Sequence, residues 1–187
     1  MKVICISGKA GSGKDTVARL VRQELTNFLG DGVANVVIIH YADLLKFIAK
    51  EYFYWDGEKD EYGRDLLQKI GTNFVRAVDE NFWVDFVARF LKIFEPIWDV
   101  AVIPDTRFAN EIEVLSERGF NVYTIRVSRD DFSNKLTSEQ RSHESETALD
   151  DYKFDAVIDN NGTMSELRQK VSQVVKDWHC SSVKERS

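Results

Sequence analysis

Cysteine is nearly missing from this chain: Cys5 and Cys180 are its two examples among 187 residues. That is too few for a disulfide framework and fits a reducing compartment. Proline is equally scarce, with Pro96 and Pro104 alone, so few positions forbid helix. No window approaches the roughly 20 apolar residues that cross a bilayer. No signal-peptide pattern is present either, because the first residues run into a strand pattern and then Gly-rich polar sequence. A cytoplasmic protein without a membrane partner is the expectation. Excess basic charge is also lacking. The net charge of −6 argues against polymeric nucleic acid as a partner, while leaving room for a small cationic pocket that takes a phosphorylated metabolite.

What remains is 43% hydrophobic and 30% charged residues with no low-complexity tract, the composition of one globular domain. Apolar strand patterns alternate with helical ones along the chain. The expected strands are KVICIS (2–7), NVVIIHYA (35–42), WDVAVIPD (98–105), NVYTIRVS (121–128) and FDAVIDN (154–160). The first helix carries Val17, Leu20, Val21, Leu25 and Phe28 at helical spacing. Further helices are expected over 44–54, 64–94 and 109–119, with a closing helix over 163–178 and a frayed tail at 181–187. Five such strands imply a parallel sheet with helices on both faces, an α/β architecture in three layers. Parallel sheets collect ligands at the carboxyl ends of their strands, so the residues just after each strand carry the chemistry.

The first such stretch is GKAGSGKDT, residues 8–16. Gly8, four residues, Gly13 and Lys14 form GxxxxGK between a strand and a helix, the context that separates a phosphate loop from a plain Gly-rich turn. The glycines let backbone N–H groups converge on phosphate, and the helix N-terminus adds partial positive charge. Gly8, Ala10, Gly11, Ser12, Gly13, Lys14, Asp15 and Thr16 are therefore the candidates for binding a nucleotide's phosphates. Asp15 occupies the place of a serine or threonine. A carboxylate beside polyphosphate needs a cation between them, so Asp15 is a candidate Mg²⁺ ligand, directly or through water. The competing reading is a first-turn Asp favoured by the helix dipole.

Asp105 ends the third strand and is the second Mg²⁺ candidate. Arg107, two residues on, is placed to take a phosphate bidentately; the alternative is an Asp–Arg surface pair. After the second strand come Asp43 and Lys46. Arg64 and Gln68, four apart, share a helix face: Arg64 suits a phosphate, Gln68 a base edge or sugar. Phe82 and Trp83 offer a stacking surface for a base, although aromatics at helical spacing are also core residues. Arg126, Arg129, Arg141 and His143 sit on or after the fourth strand in a Ser/Glu-rich segment. This reads as an arginine-bearing lid or as a solvated loop, with Arg126 facing either layer and His143 fixing the lid's conformation. Lys14, Arg107, Arg129 and Arg141 are the candidates for offsetting charge on a transferring phosphoryl group. Asn160, in the Asn-Asn-Gly turn after the fifth strand, is placed beside a bound base, and the turn favours these residues anyway. His40 reads as a satisfied core histidine without a role.

With these residues in hand, the chain resembles the deoxynucleoside monophosphate kinase family of bacteriophages and bacteria. The matching pieces are GKAGSGKDT, YADLLK, YGRDLLQKIGT followed by FW, PDTRFANE and SETALDDYKFDAVIDNNGT, in the expected order from residue 2 to about 175. The resemblance implies a P-loop NTPase fold: a core of 1–42, 97–128 and 154–180, a helical monophosphate-binding insert at 43–96 and a lid at 129–153. It also implies the reaction ATP + dNMP → ADP + dNDP, with ATP as co-substrate and Mg²⁺ assisting. Lys14 and the loop would bind ATP. Asp43, Lys46, Arg64, Gln68, Trp83 and Arg107 would bind the acceptor nucleotide. Leu44 and Ala109 stand where the family pattern has proline, so loop geometry differs there while every charged group is kept. A P-loop kinase of another phosphorylated metabolite and a regulatory NTP-binding module stay open as alternatives, as does a homodimer.

Overall fold

The computed structural model describes residues 1–29, 35–130 and 136–184. Its centre is a five-stranded sheet in the order β2-β3-β1-β4-β5, with every pairing parallel. The strands are β1 (Lys2–Ser7), β2 (Val36–Ile38), β3 (Val100–Ile103), β4 (Asn121–Ser128) and β5 (Ala156–Asp159). Side chains alternate across a strand, and β1 shows the consequence. Ile4 and Ile6 enter one core with Val17, Val21 and Leu25 of α1 (Lys14–Leu29) and Val171 and Val175 of α8 (Met164–Lys184). Val3 and Cys5 enter the other, with Val84, Val87 and Leu91 of α4 (Phe82–Ile93) and Ile112 and Leu115 of α5 (Asn110–Glu117). Helices thus cover both faces, as expected. Each fully buried aliphatic contributes about 1.5–3 kcal/mol. Burial pushes the Cys5 thiol up to about 12, which keeps it an unreactive core residue.

Between β2 and β3 lie α2 (Ala42–Phe53), α3 (Glu61–Gln68) and α4. A smaller cluster of Ala49, Trp55 and Ile70 holds the first two together. Asp60 caps α3 by accepting the Gly63 N–H at 2.7 Å. Between β4 and β5 lie the short helices α6 (Ser138–Ser142) and α7 (Glu144–Thr147), α6 opening on a capping box of Thr137 and Gln140.

Several boundaries differ from expectation. The second strand stops at Ile38 because the Asp105 carboxylate draws the Tyr41 and Ala42 amides into the start of α2, at 3.0 Å each. The helix expected over 64–94 is broken: α3 passes into a π-helical stretch at Lys69–Arg76, and Asp79 then accepts the Asn81 N–H in a side-chain turn. The third strand is the four residues Val100–Ile103, closed off by Pro104. The closing helix runs on to Lys184, through part of the expected tail, since nothing after Trp178 is a helix breaker; residues 185–187 lie outside the described set. So do 131–135 of the expected lid and the side chain of Phe28. No helix among the described residues is long and apolar enough to cross a membrane.

Candidate nucleotide site

The loop after β1 has glycine where nothing else fits. A Cβ on Gly8 would collide with the Val127 carbonyl and the Ser12 hydroxyl, and Gly13 has φ +99° with the Asn160 side chain pressed against it. Asn160 donates its amide to the Ser12 carbonyl at 2.8 Å, bracing the loop from the end of β5. Lys14 opens α1 and curls back, its Nζ donating to the carbonyls of Gly8 (2.7 Å) and Lys9 (2.9 Å). Burial, and then the neighbouring Arg107 guanidinium, push the Lys14 ammonium down to about 7. A phosphate laid beside it would hold its charge.

Beyond the loop opens a cavity of about 470 Å³, within the size range of small-ligand sites. Lys14, Lys46, Lys59, Arg64, Arg76 and Arg107 line it, against the carboxylates Asp15, Asp105, Glu111 and Glu146. A chain that is acidic overall thus concentrates cations in one crevice, which favours an anionic ligand. Ala10 and Gly11 present the loop on one side. Leu45, Leu67 and the buried Trp83 give an apolar wall on the other.

The side of this cavity formed by the turn after β3 hangs on one buried carboxylate. Glu111, 3% exposed, accepts the N–H groups of Arg107 (2.7 Å) and Phe108 (3.2 Å). It thereby folds the turn after β3 so that Arg107 reaches back to the Gly8 carbonyl at 3.4 Å. Arg76 faces it at 3.6 Å, lies 3.7 Å over the Phe108 ring and donates to Asn110 at 2.8 Å. The Tyr41 hydroxyl donates to the Glu111 carbonyl at 2.8 Å. Burial pushes the Glu111 carboxyl up to about 7, against the pull of the Arg107 amide.

The donors available to a divalent cation are Asp105 and Asp15. Each Asp105 oxygen already accepts one amide and keeps a lone pair for water, while the Asp15 side chain is 70% exposed. Among the described residues no trio of His, Cys, Asp or Glu forms an all-protein metal cage. Mg²⁺ does not need one: it keeps several waters and uses one or two carboxylates with substrate phosphates. The pair fits such an ion, bound mainly through water.

Of the residues singled out from the sequence, Ala10, Gly11, Lys14, Asp15, Lys46, Arg64, Gln68, Trp83, Asp105 and Arg107 line the cavity. Trp83 does so as a core residue, 5% exposed, with its indole N–H on the Gly71 carbonyl at 3.0 Å. Its ring is therefore not a free stacking platform. Gly8, Ser12, Gly13, Thr16 and Asn160 lie outside the cavity lining, as does Asp43, which pairs at 3.4 Å with each of two lining residues, His40 and Lys46. Arg129 and Arg141 are exposed and outside the lining. Arg126 turns inward, donating to Ser7 (3.2 Å) and Asp150 (2.9 Å).

His40 corrects its reading as a core residue. It stands half-buried between Asp15 and Asp43, 3.4 Å from each, and its hydrogen bond to Asp15, with a second to Asp43, raises the ring to about 9. At neutral pH an imidazolium thus offsets the Asp15 charge.

Lys59, Arg76, Glu111 and Glu146 escape a reading by motif. Arg76 alone left a trace: Arg64, Gln68, Thr72 and Arg76 repeat every four residues, and all four line the cavity. In a regular helix of about 3.6 residues per turn that repeat would drift around the axis. The wider π-helical turns at Lys69–Arg76 reduce the drift.

Comparison with known proteins adds to this geometry. A profile of the deoxynucleotide monophosphate kinase family matches residues 53–171. The ORF77 protein of Ictalurid herpesvirus 1 is 32% identical over 173 residues, covering 90% of this chain and 68% of that protein. The deoxynucleotide monophosphate kinase of Enterobacteria phage T4 is 31% identical over 115 residues, 60% of this chain and 45% of its own length. This chain thus matches less than half of the phage enzyme. Among solved structures, thymidylate kinase from Ehrlichia chaffeensis superposes with a TM-score of 0.51 at 16% identity, over 94% of this chain and 98% of that one. A likeness at that identity shows the fold alone, a P-loop NTPase α/β fold.

Proposed function

We propose that this chain, which belongs to the deoxynucleotide monophosphate kinase family, transfers the terminal phosphoryl group of ATP to a deoxynucleoside monophosphate. The observation that carries this reading is a single cavity lined both by the phosphate loop and by Arg64, Gln68 and Arg76, with Arg107 reaching the Gly8 carbonyl. A module that only binds or hydrolyses NTP has no use for the second cationic wall.

In this scheme the loop amides and Lys14 hold the β- and γ-phosphates, with the positive end of α1 behind them. Arg64 and Arg76 receive the acceptor's monophosphate, and Gln68 and Lys46 its sugar or base. The apolar wall of Leu45 and Leu67, backed by Trp83, excludes water from the base. An acceptor phosphate is already ionised, so no general base is required, and catalysis is alignment plus charge compensation. Asp15 and Asp105 would hold Mg²⁺ through water, and a bound ion would supply positive charge against the phosphates. Arg107 would bridge the two nucleotides. For Arg129 and Arg141 to join it, their segments must swing inward. Segment 43–96 then serves as the acceptor-binding insert and 129–153 as the lid, and the substrates are free nucleotides, not nucleic-acid polymers.

The test is ADP release from ATP over a panel of deoxynucleoside and ribonucleoside monophosphates, with phosphorylated isoprenoid and coenzyme precursors as competitors. Turnover with at least one deoxynucleoside monophosphate, and none with the other metabolites, is expected. The reverse pattern would assign the cavity to another metabolite kinase.

A further inference from the structure

One carboxylate in the cavity has no part in this scheme. Glu146 of α7 has an 8% exposed side chain, and its two oxygens hold two groups on the phosphate path. One accepts the loop N–H of Ala10 at 2.9 Å, the other the Nη1 of Arg107 at 2.6 Å. Its backbone carbonyl accepts from Lys9 Nζ at 2.6 Å. Arg107 and Lys14 meet on the same Gly8 carbonyl, so carboxylate, lysine and arginine surround one point at the mouth of the loop. The Glu146 charge reaches Lys14 as well, favouring its ammonium against the effect of burial.

A structural ion pair would explain the contact with Arg107 alone. It does not explain why the second oxygen sits on a phosphate-loop amide, since those N–H groups are arranged to receive an anion. We propose that Glu146 is an internal stand-in for the donor's terminal phosphate, and that ATP must displace it to bind and thereby frees Arg107 for the transferring group. The inference rests on the kinase reading of this cavity. Two anions cannot share the Ala10 amide and the Arg107 fork, so the carboxylate competes with a γ-phosphate and far less with a nucleotide that lacks one. Glu146 would then favour donors bearing a third phosphate able to evict it, and keep Arg107 neutralised until such a donor arrives. The clasp is built to open. Helix α7 is four residues long, and its tie to the loop runs through Lys9, which holds the Glu146 carbonyl and Asp150, with Arg126 as a second partner of Asp150; the Lys9–Asp150 pair has both side chains more than 40% exposed. Exposed pairs of this kind hold weakly.

The test is the affinity of wild type, Glu146→Gln and Asp150→Asn for a non-hydrolysable ATP analogue and for AMP, by calorimetry with Mg²⁺. Glu146→Gln keeps the side-chain volume and removes the charge; Asp150→Asn loosens α7 from outside the cavity. Hydrogen bonds to a charged group are stronger than those between neutral groups. Glu146→Gln should therefore tighten the analogue about tenfold or more and leave AMP unchanged, and Asp150→Asn should tighten it by a smaller factor. A residue that only braces the fold would move affinity the other way. Analogue binding that is unchanged or weaker in both variants overturns the displacement alone. No analogue binding by the wild type overturns the kinase reading, and the displacement with it.

Discussion

The two walls of the cavity are made in opposite ways. The donor wall is one contiguous stretch, Gly8 to Thr16, shaped by glycine geometry and by the junction of β1 with α1. The wall proposed for the acceptor is assembled from residues between Leu45 and Glu111, carried on α2, α3, the π-helical stretch, α4, the turn after β3 and α5. Its parts are aligned by hydrogen bonds to Glu111 and Asp105, not by proximity in the chain. A wall made by local geometry should fail at single residues and leave the fold untouched. An assembled wall should couple function to stability.

The largest effect tests the first half of that contrast. Lys14→Ala should lower kcat by on the order of 10² to 10³, the usual loss when a charge-stabilising donor is removed, with the thermal midpoint within a degree or two of wild type. A large drop in midpoint would mean that the loop, too, is held by the assembled network. Next in size, Arg64→Ala should reduce kcat/KM for the acceptor about 10- to 100-fold, the equivalent of one charged hydrogen bond or a bidentate pair. ATP affinity should stay put. Acceptor kinetics unchanged by this substitution would move the monophosphate site elsewhere.

The same contrast explains what could be read in advance. GxxxxGK between strand and helix is a contiguous signal with one structural meaning, so the loop, the five strands and the three layers were legible. Asp105 and Arg107 were legible because parallel sheets place their chemistry at strand ends. Glu111 was not, since a glutamate in the first turn of a helix is ordinarily solvated, and only the fold brings Arg76 over Phe108 to bury it. His40 was misread because its apolar neighbours suggested a strand through residue 42, and Asp105 ends that strand early by capping α2. Glu146 lay among several equivalent glutamates, and nothing local distinguishes it from Glu144.

Glu111 also offers a subtler probe of the assembled wall. Burial lifts its carboxyl from 4.5 to about 7, so the folded chain holds that proton more tightly than the unfolded one. The corresponding stability is complete below about pH 4.5 and is lost as pH rises through 7. Glu111→Gln has no such proton. The midpoint of the variant minus that of wild type should therefore climb between pH 5 and pH 8; a flat difference would contradict a buried, proton-holding Glu111. The smallest expected change is at the boundary of the two walls. Asp15→Ser removes one of two candidate Mg²⁺ carboxylates and the partner of His40, and should raise the Mg²⁺ concentration for half-maximal activity by a few-fold, since exposed charge interactions are weak. An unaltered Mg²⁺ requirement would reduce Asp15 to a helix first-turn residue.

The central claim is that both walls serve one transfer, and it is tested most directly by following the phosphoryl group itself. ATP labelled at its γ-phosphate is incubated with the protein, Mg²⁺ and each deoxynucleoside monophosphate in turn, and the products are separated. Label should appear in a deoxynucleoside diphosphate for at least one acceptor, with little release as inorganic phosphate. Label found only in inorganic phosphate, whatever the acceptor, would contradict it.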